Sequence, residues 1–237
     1  MKISRLFNFK LRPNKNILKE EDSKGNNLLV ENTGLNNIIC TRGSSFGKPS
    51  VIRVNGNSNK VYVLNSSISS YLSITVNGDD NVIVINNEYV SFSLSLTLGQ
   101  LIHGARTAGC SIHMCHGSVE DAHVFNLHSN HNIIIKRGHM MSHGIKVWNT
   151  DSHPVYDVDS MRILNKPSSR NLIIEKNVWL GLNAVVLKNA HIPAGSIVGI
   201  NAVVTKKFEE HNVLLAGSPA RIVRKNVCWK SSDSDFI

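Results

Sequence analysis

Aromatic residues make up only 6% of the 237 residues, and the basic residues do not interleave with them. That pattern excludes the stacking platform on which a single nucleic-acid strand would lie. Cysteine is equally sparse. Cys40, Cys110, Cys115 and Cys228 lack the paired CxxC spacing of a zinc site and are too few for a dense disulfide framework, so they read as buried thiols in a reducing compartment. No long apolar run is present either. The opening MKISRLFNFKLR has scattered basic residues and nothing long enough for a secretory leader or a membrane span. The expectation is a cytoplasmic protein with at most peripheral membrane contact through its basic end. Acidic residues are in deficit, 17 against 26 Lys and Arg, and the net charge of +9 calls for an anionic partner. The phosphates of a cofactor or an acidic glycan would meet that demand as well as a nucleic acid would.

What the chain does contain is a period of six. Ile174, Leu180, Val186, Ile192, Val198 and Val204 are all aliphatic at successive six-residue steps, a spacing that neither an α-helix nor an ordinary sheet requires. Four consecutive hexads also carry a small residue at their fifth position: Ala184, Ala190, Ser196 and Ala202. One large aliphatic and one small residue per six suit a prism of short parallel strands, three hexads to a turn, with the aliphatic side chains stacked inside. Gly181, Gly195 and Gly199 are expected to supply the backbone angles of its corners.

A second repeat lies upstream. Gly34, Gly56 and Gly78 are 22 residues apart and introduce the similar phrases GLNNIIC, GNSNKVYV and GDDNVIVI, which read as longer turns of the same solenoid. Ile135, Met141 and Val147 keep the six-residue step between the two zones, while residues 88–118 show no clean period. The expected organisation is a basic extension over residues 1–26, a parallel coil over 27–206 and a C-terminal tail over 207–237.

The coil is interrupted by a polar stretch, residues 149–171, that contains NTDSHPVYD. Insertions of this length in a solenoid commonly carry function. Its one histidine, His153, is suited to accept a proton near neutral pH, with Asp151 or Asp157 close enough in sequence to orient the ring.

The hexads, the DSHPVYD loop, the phrase NVWLGLNAVVL and the tail LLAGSPARIVRK together resemble the hexapeptide-repeat acetyltransferases, most of all those that O-acetylate sugars and bacterial capsular polysaccharides. The resemblance covers residues 120–226. It implies an all-β, left-handed parallel β-helix, acetyl-CoA as acyl donor without a metal, a carbohydrate acceptor and a homotrimer. It makes His153, 26 positions before Trp179, the general base, and places Trp179 beside the thioester and acceptor. Asn126, in the phrase FNL, would face the acceptor. Leu182, Ile200, Thr205, Lys206, Arg221 and Arg224 would bind the cofactor, the three cations meeting its phosphates. The chain departs from the family pattern at Ile200 and in TKKFEEHN, which carries one extra residue.

Nine of the eleven histidines lie between His103 and His153, which raises a competing reading on the same fold: a β-helical zinc carbonic anhydrase, with His123 and His128 or His113 and His116 as a ligand pair. A non-catalytic glycan-binding solenoid is a third. It gives no reason for a cation-rich tail beside a histidine loop.

Overall fold

The computed structural model describes residues 27–99 and 106–230, with the backbone alone of residues 17–19, 101–102 and 105. The basic extension expected over residues 1–26 lies outside the described residues apart from that first backbone strand, and His103 lies outside them as well. All regular structure among the described residues is strand. The strands form an eight-stranded sheet, a 15-stranded sheet and a small two-stranded hairpin. The larger sheet bends around a corner. Its long strand Ser118–Asn126 pairs with Met140–Met141 at one end and Ile145–Trp148 at the other, so two faces of a three-sided prism belong to one sheet.

Register measures each turn of the coil. Leu28 pairs with Ser50, 22 residues on; Val82 with Ser111, 29 on; Asn132 with Asn171, 39 on; and Ile173 with His191, 18 on. The 18-residue turn is three hexads, and the six aliphatic positions from Ile174 to Val204 are all wholly buried, as are Ala184, Ala190, Ser196 and Ala202. Each of the six large aliphatic side chains removed from water contributes about 1.5–3 kcal/mol. Every turn stacks its own on the next, so one continuous core runs the length of the prism.

The corners are made differently from the expectation. Asn177, Asn183, Asn189, Gly195 and Asn201 recur every six residues with φ between 55° and 69°, the left-handed region that asparagine tolerates better than other non-glycine residues. Gly181 and Gly199 do not occupy it. Gly181 is needed for proximity instead: a Cβ there would meet the Val198 carbonyl oxygen at 2.9 Å.

In the 22-residue turns the glycine phrases build a buried ladder. Asn37 accepts from the amide of Asn59 at 2.8 Å, Asn59 from that of Asn81 at 3.0 Å, and Asn81 from that of Cys110 at 3.0 Å. The side-chain amides of Asn37 and Asn59 donate to the carbonyls of Gly56 and Gly78. The glycines allow the turns this close an approach. A Cβ on Gly56, whose φ is 137°, would overlap the Gly78 carbonyl oxygen. Gly56→Ala should therefore destabilise the protein by about 2–4 kcal/mol, a loss that thermal unfolding measures directly.

The coil does not stop at Lys206. Val213 and Leu215 are buried in the same core, and Leu214–Ala216 continues the parallel sheet on Ile197–Val198. Arg221–Arg224 then folds back antiparallel on Leu214–Ala216. This return strand covers a sheet edge that would otherwise present unpaired backbone groups, so the region expected to be a tail closes the prism. The aperiodic middle has an equally simple cause: between Gly99 and Thr107, which both bond to neighbouring turns, the chain is longer than in the 22-residue turns and includes the hairpin Leu101–Ile102 with Ala105–Arg106.

Candidate active site

The polar insertion leaves the coil after Ile145–Trp148 and returns at Asn171–Ile174. It is itself ordered. Leu164 donates its amide to the Val155 carbonyl and Asp157 to that of Arg162, while Tyr156 and Ile163 form an antiparallel bridge. The turn at its tip is held by Asp157, whose carboxylate accepts from the Ser160 amide at 2.9 Å and its hydroxyl at 2.7 Å. Those two bonds hold the carboxyl below its ordinary value. Asn189, a corner residue of the next turn, accepts from the amides of Ser168 and Ser169 where the insertion rejoins the coil.

His153 is exposed near the neck of this insertion, and its ring has no hydrogen-bonding partner among the described residues. Its backbone is well tied: its amide donates to the Asp151 carbonyl at 2.7 Å, and its carbonyl accepts from Asn165 Nδ2 at 2.9 Å. Neither carboxylate expected behind the ring is there. Asp157 is committed to Ser160, and Asp151 Oδ2 is held by Lys188 Nζ and by Asn165 Nδ2 at 2.7 Å. The structure thus corrects the role assigned to Asp151. A lysine from the next turn outcompetes the neighbouring histidine, because that ion pair is with a side chain only 14% exposed.

Asn126 is also corrected. It follows Val124 by two residues on one strand and so points inward; it is wholly buried. Its amide is spent on the carbonyls of Ser111 and His131, at 2.9 and 2.7 Å, and its oxygen accepts from Asn149. The outward positions beside it are Phe125 and, one turn on, Trp148. Their rings lie 4.3 Å apart and form an aromatic strip leading to the insertion. Sequence reasoning missed this strip, although the alternation of the strand contains the signal.

Four of the six expected cofactor residues lie on two edges of one face. Leu182 and Ile200 are exposed, one turn apart, with the Asn201 amide donating to the Leu182 carbonyl. Thr205 and Lys206 are exposed at the other edge, which is the corner that carries the insertion. The insertion, Lys188 and Lys206 stand there on successive turns, and at about 4.8 Å per turn this places Lys206 roughly 10 Å along the prism from the insertion's neck. Lys206 Nζ lies over the Phe208 ring at 5.3 Å. Arg221 and Arg224 are exposed on the return strand, with Arg221 Nη1 donating to the Ala220 carbonyl at 2.9 Å. Trp179 begins a strand at a different corner. Its Nε1 donates to Ser142 Oγ at 3.2 Å and its ring faces Trp229 at 6.2 Å; no described contact joins it to His153.

Among the histidines, His128 touches the insertion: Nε2 lies 3.1 Å from Thr150 Oγ1. Burial, with His131 and Lys188 nearby, lowers its pKa and favours the neutral ring. His113 is likewise lowered by burial. No group of three or more histidine, cysteine, aspartate or glutamate side chains placed to hold a metal occurs among the described residues. A polar notch of about 340 Å³, lined by Thr33, Gly34, Asn55, Gly56, Asn57 and Arg106, lies on the same corner several turns away from the insertion.

A prism of parallel hexads with a histidine-bearing insertion at one corner and cations near its C-terminal end is a left-handed parallel β-helix, similar to those of the hexapeptide-repeat O-acetyltransferases. Within that class the chain is similar to the polysialic acid O-acetyltransferases of Neisseria meningitidis, at 30% identity over 97 residues, and of Escherichia coli O1:K1, at 26% over 102. These stretches cover 41% and 43% of this chain, but 44% and 32% of the two relatives, so the chain spans less than half the length of the curated relatives it matches. The solved polysialic acid O-acetyltransferase OatWY superposes with a TM-score of 0.60 over 86% of this chain and 92% of its own, at 25% identity. The fold is shared too with NeuO, described as a polysialic-acid-specific acetyltransferase, at a TM-score of 0.62 and 22% identity over 89% and 92% of the two chains. No family model matches the chain.

Proposed function

We propose that the protein transfers an acetyl group from acetyl-CoA to a hydroxyl of a bacterial surface polysaccharide, and that it does so in the cytoplasm as a homotrimer. The observation that carries this reading is the histidine-bearing insertion on a coil similar to that of OatWY over most of both chains. The charge of +9 suits an acidic glycan as well as the phosphates of the donor.

In this reaction His153 takes the proton of the acceptor hydroxyl as its oxygen attacks the thioester carbonyl carbon. The carbon–sulfur bond then breaks, and the proton passes from the imidazole to the leaving thiolate. The products are a sugar ester and the CoA thiol, with no covalent enzyme intermediate. The exposed ring is free to meet an acceptor, and the exposed cations Lys206, Arg221 and Arg224 are free to meet phosphates. Trp179 and His153 belong to different corners of one prism, so a site containing both would be assembled between subunits, as the trimer supposes.

Titrating acetyl-CoA into metal-stripped protein by calorimetry tests the donor without any knowledge of the acceptor. Saturable micromolar binding is expected, weakened by about three- to tenfold in each of Lys206→Ala, Arg221→Ala and Arg224→Ala. Absence of binding would overturn the reading.

A further inference from the structure

The peptide segment that presents His153 is strained. Ser152 has φ of 62°, and the His153 amide donates across it to the Asp151 carbonyl at 2.7 Å. This is a three-residue γ-turn with a positive central φ, the rarer and costlier form for a residue with a side chain. Such a turn persists only where its surroundings impose it.

The surroundings here are specific. Thr150 Oγ1 accepts from the Ser152 amide at 2.9 Å, which fixes the turn's entry. Asn165, on the returning arm of the insertion, closes its exit. Its Nδ2 donates to Asp151 Oδ2 and to the His153 carbonyl, and its Oδ1 accepts from the Val155 amide at 2.8 Å. Lys188, from the next turn of the coil, ties both arms to the prism: its Nζ donates to Asp151 Oδ2 and to the Asn165 carbonyl, the latter at 2.5 Å. Three backbone groups around the histidine are thereby satisfied by side chains, while its ring is left unengaged.

We propose that Lys188 and Asn165 are positioning residues for transfer: they clamp the γ-turn at Ser152 and so fix the direction in which His153 is presented, without touching substrate. Asp151 belongs to the clamp, as the acceptor that both share. The proposal rests on the reading of His153 as the base. A base displaced by about 1 Å loses on the order of a hundredfold in rate even when substrates still bind.

The test uses the full chain with acetyl-CoA and polysialic acid as substrates. For Lys188→Met, kcat should fall about 10- to 100-fold while the KM for acetyl-CoA stays within about twofold, and Lys188→Arg should restore part of the loss. Because the three side chains act as one unit, Lys188→Met combined with Asp151→Asn should be no worse than the poorer single variant. A second readout needs no acceptor: hydrogen exchange at the amides of Ser152, His153 and Val155 should quicken in Lys188→Met and in Asn165→Ala, the latter serving should the former fail to fold. Unchanged kcat in Lys188→Met, or unchanged exchange in both variants, would overturn the clamp. Full activity in His153→Ala would instead overturn the function on which the clamp rests, so the two failures are distinguishable.

Discussion

Replacing His153 by alanine should reduce acetyl transfer by about 10²–10⁴-fold, the usual contribution of a positioned general base, while leaving acetyl-CoA affinity almost unchanged. The reason is that an alcohol is a poor nucleophile until its proton leaves, and in the proposed reaction the histidine acts on the acceptor. The expected donor residues are elsewhere: Leu182 and Ile200 lie on the far edge of the neighbouring face, and Lys206 on a later turn of the same corner. The ring is exposed, and its substitution removes no described hydrogen bond, so the fold should be untouched and Tm should stay close to that of the parent. CoA release in the presence of polysialic acid, measured beside a calorimetric titration of the donor, separates the two effects. A variant that kept most of its turnover would show that another group removes the proton.

The second large effect lies in the core. Glu88 and His139 are wholly buried two turns apart, with His139 Nε2 3.0 Å from Glu88 Oε2 and Nδ1 2.9 Å from the Lys136 carbonyl. Gly117 stands on the turn between them, and a Cβ there would overlap the His139 ring. Burial works against the charged imidazole, but the Glu88 carboxylate and the Lys136 carbonyl outweigh it, and the pKa of His139 is raised above the ordinary 6.5. His139→Ala leaves a buried carboxylate with no counter-charge and a cavity beside it, which should cost about 3–5 kcal/mol. Glu88→Gln should cost less, because the imidazole left behind can give up its proton.

The pH dependence has a definite sign. With its folded-state pKa raised, His139 contributes its full stabilisation below about pH 6.5, where it is charged in both states, and loses it as pH rises through the folded value. Thermal unfolding of the parent should therefore show a decline in stability above about pH 6.5 that His139→Ala lacks. Parallel profiles in the two proteins would mean that the pair is not charged in the native state.

Both predictions use residues whose roles were unequally visible in the sequence. The period of six identified the core positions from Ile174 to Val204 because burial at every turn demands an apolar side chain at that step. The glycine phrases at Gly34, Gly56 and Gly78 likewise marked the 22-residue turns, though not the close backbone approach that the structure shows there. What the pattern did not reveal was anything set by a neighbour from another turn. Asp151 sits two residues from His153 in sequence, yet its partner is Lys188, 37 residues away. Asn126 reads as a polar residue near a site, but strand alternation turns it inward. Glu88 and His139 look like ordinary surface residues until Gly117 is seen to leave room between them. Even the end of the coil was misplaced, because the final turn is held by Val213 and Leu215, which fall outside the six-residue step.

The extra length that follows Gly99 and the insertion that follows Trp148 lie at the same corner of the prism, two turns apart. Each strand ladder passes beneath them without a break, so length can be added there with little disturbance to the neighbouring turns. The scaffold thus separates two kinds of change. The short uniform turns from Asn171 onward are constrained by their own stacking, whereas the insertion corner can be rebuilt one loop at a time. On this plan a single corner segment can be replaced without rebuilding the coil, provided that the graft brings its own anchor for the turn below.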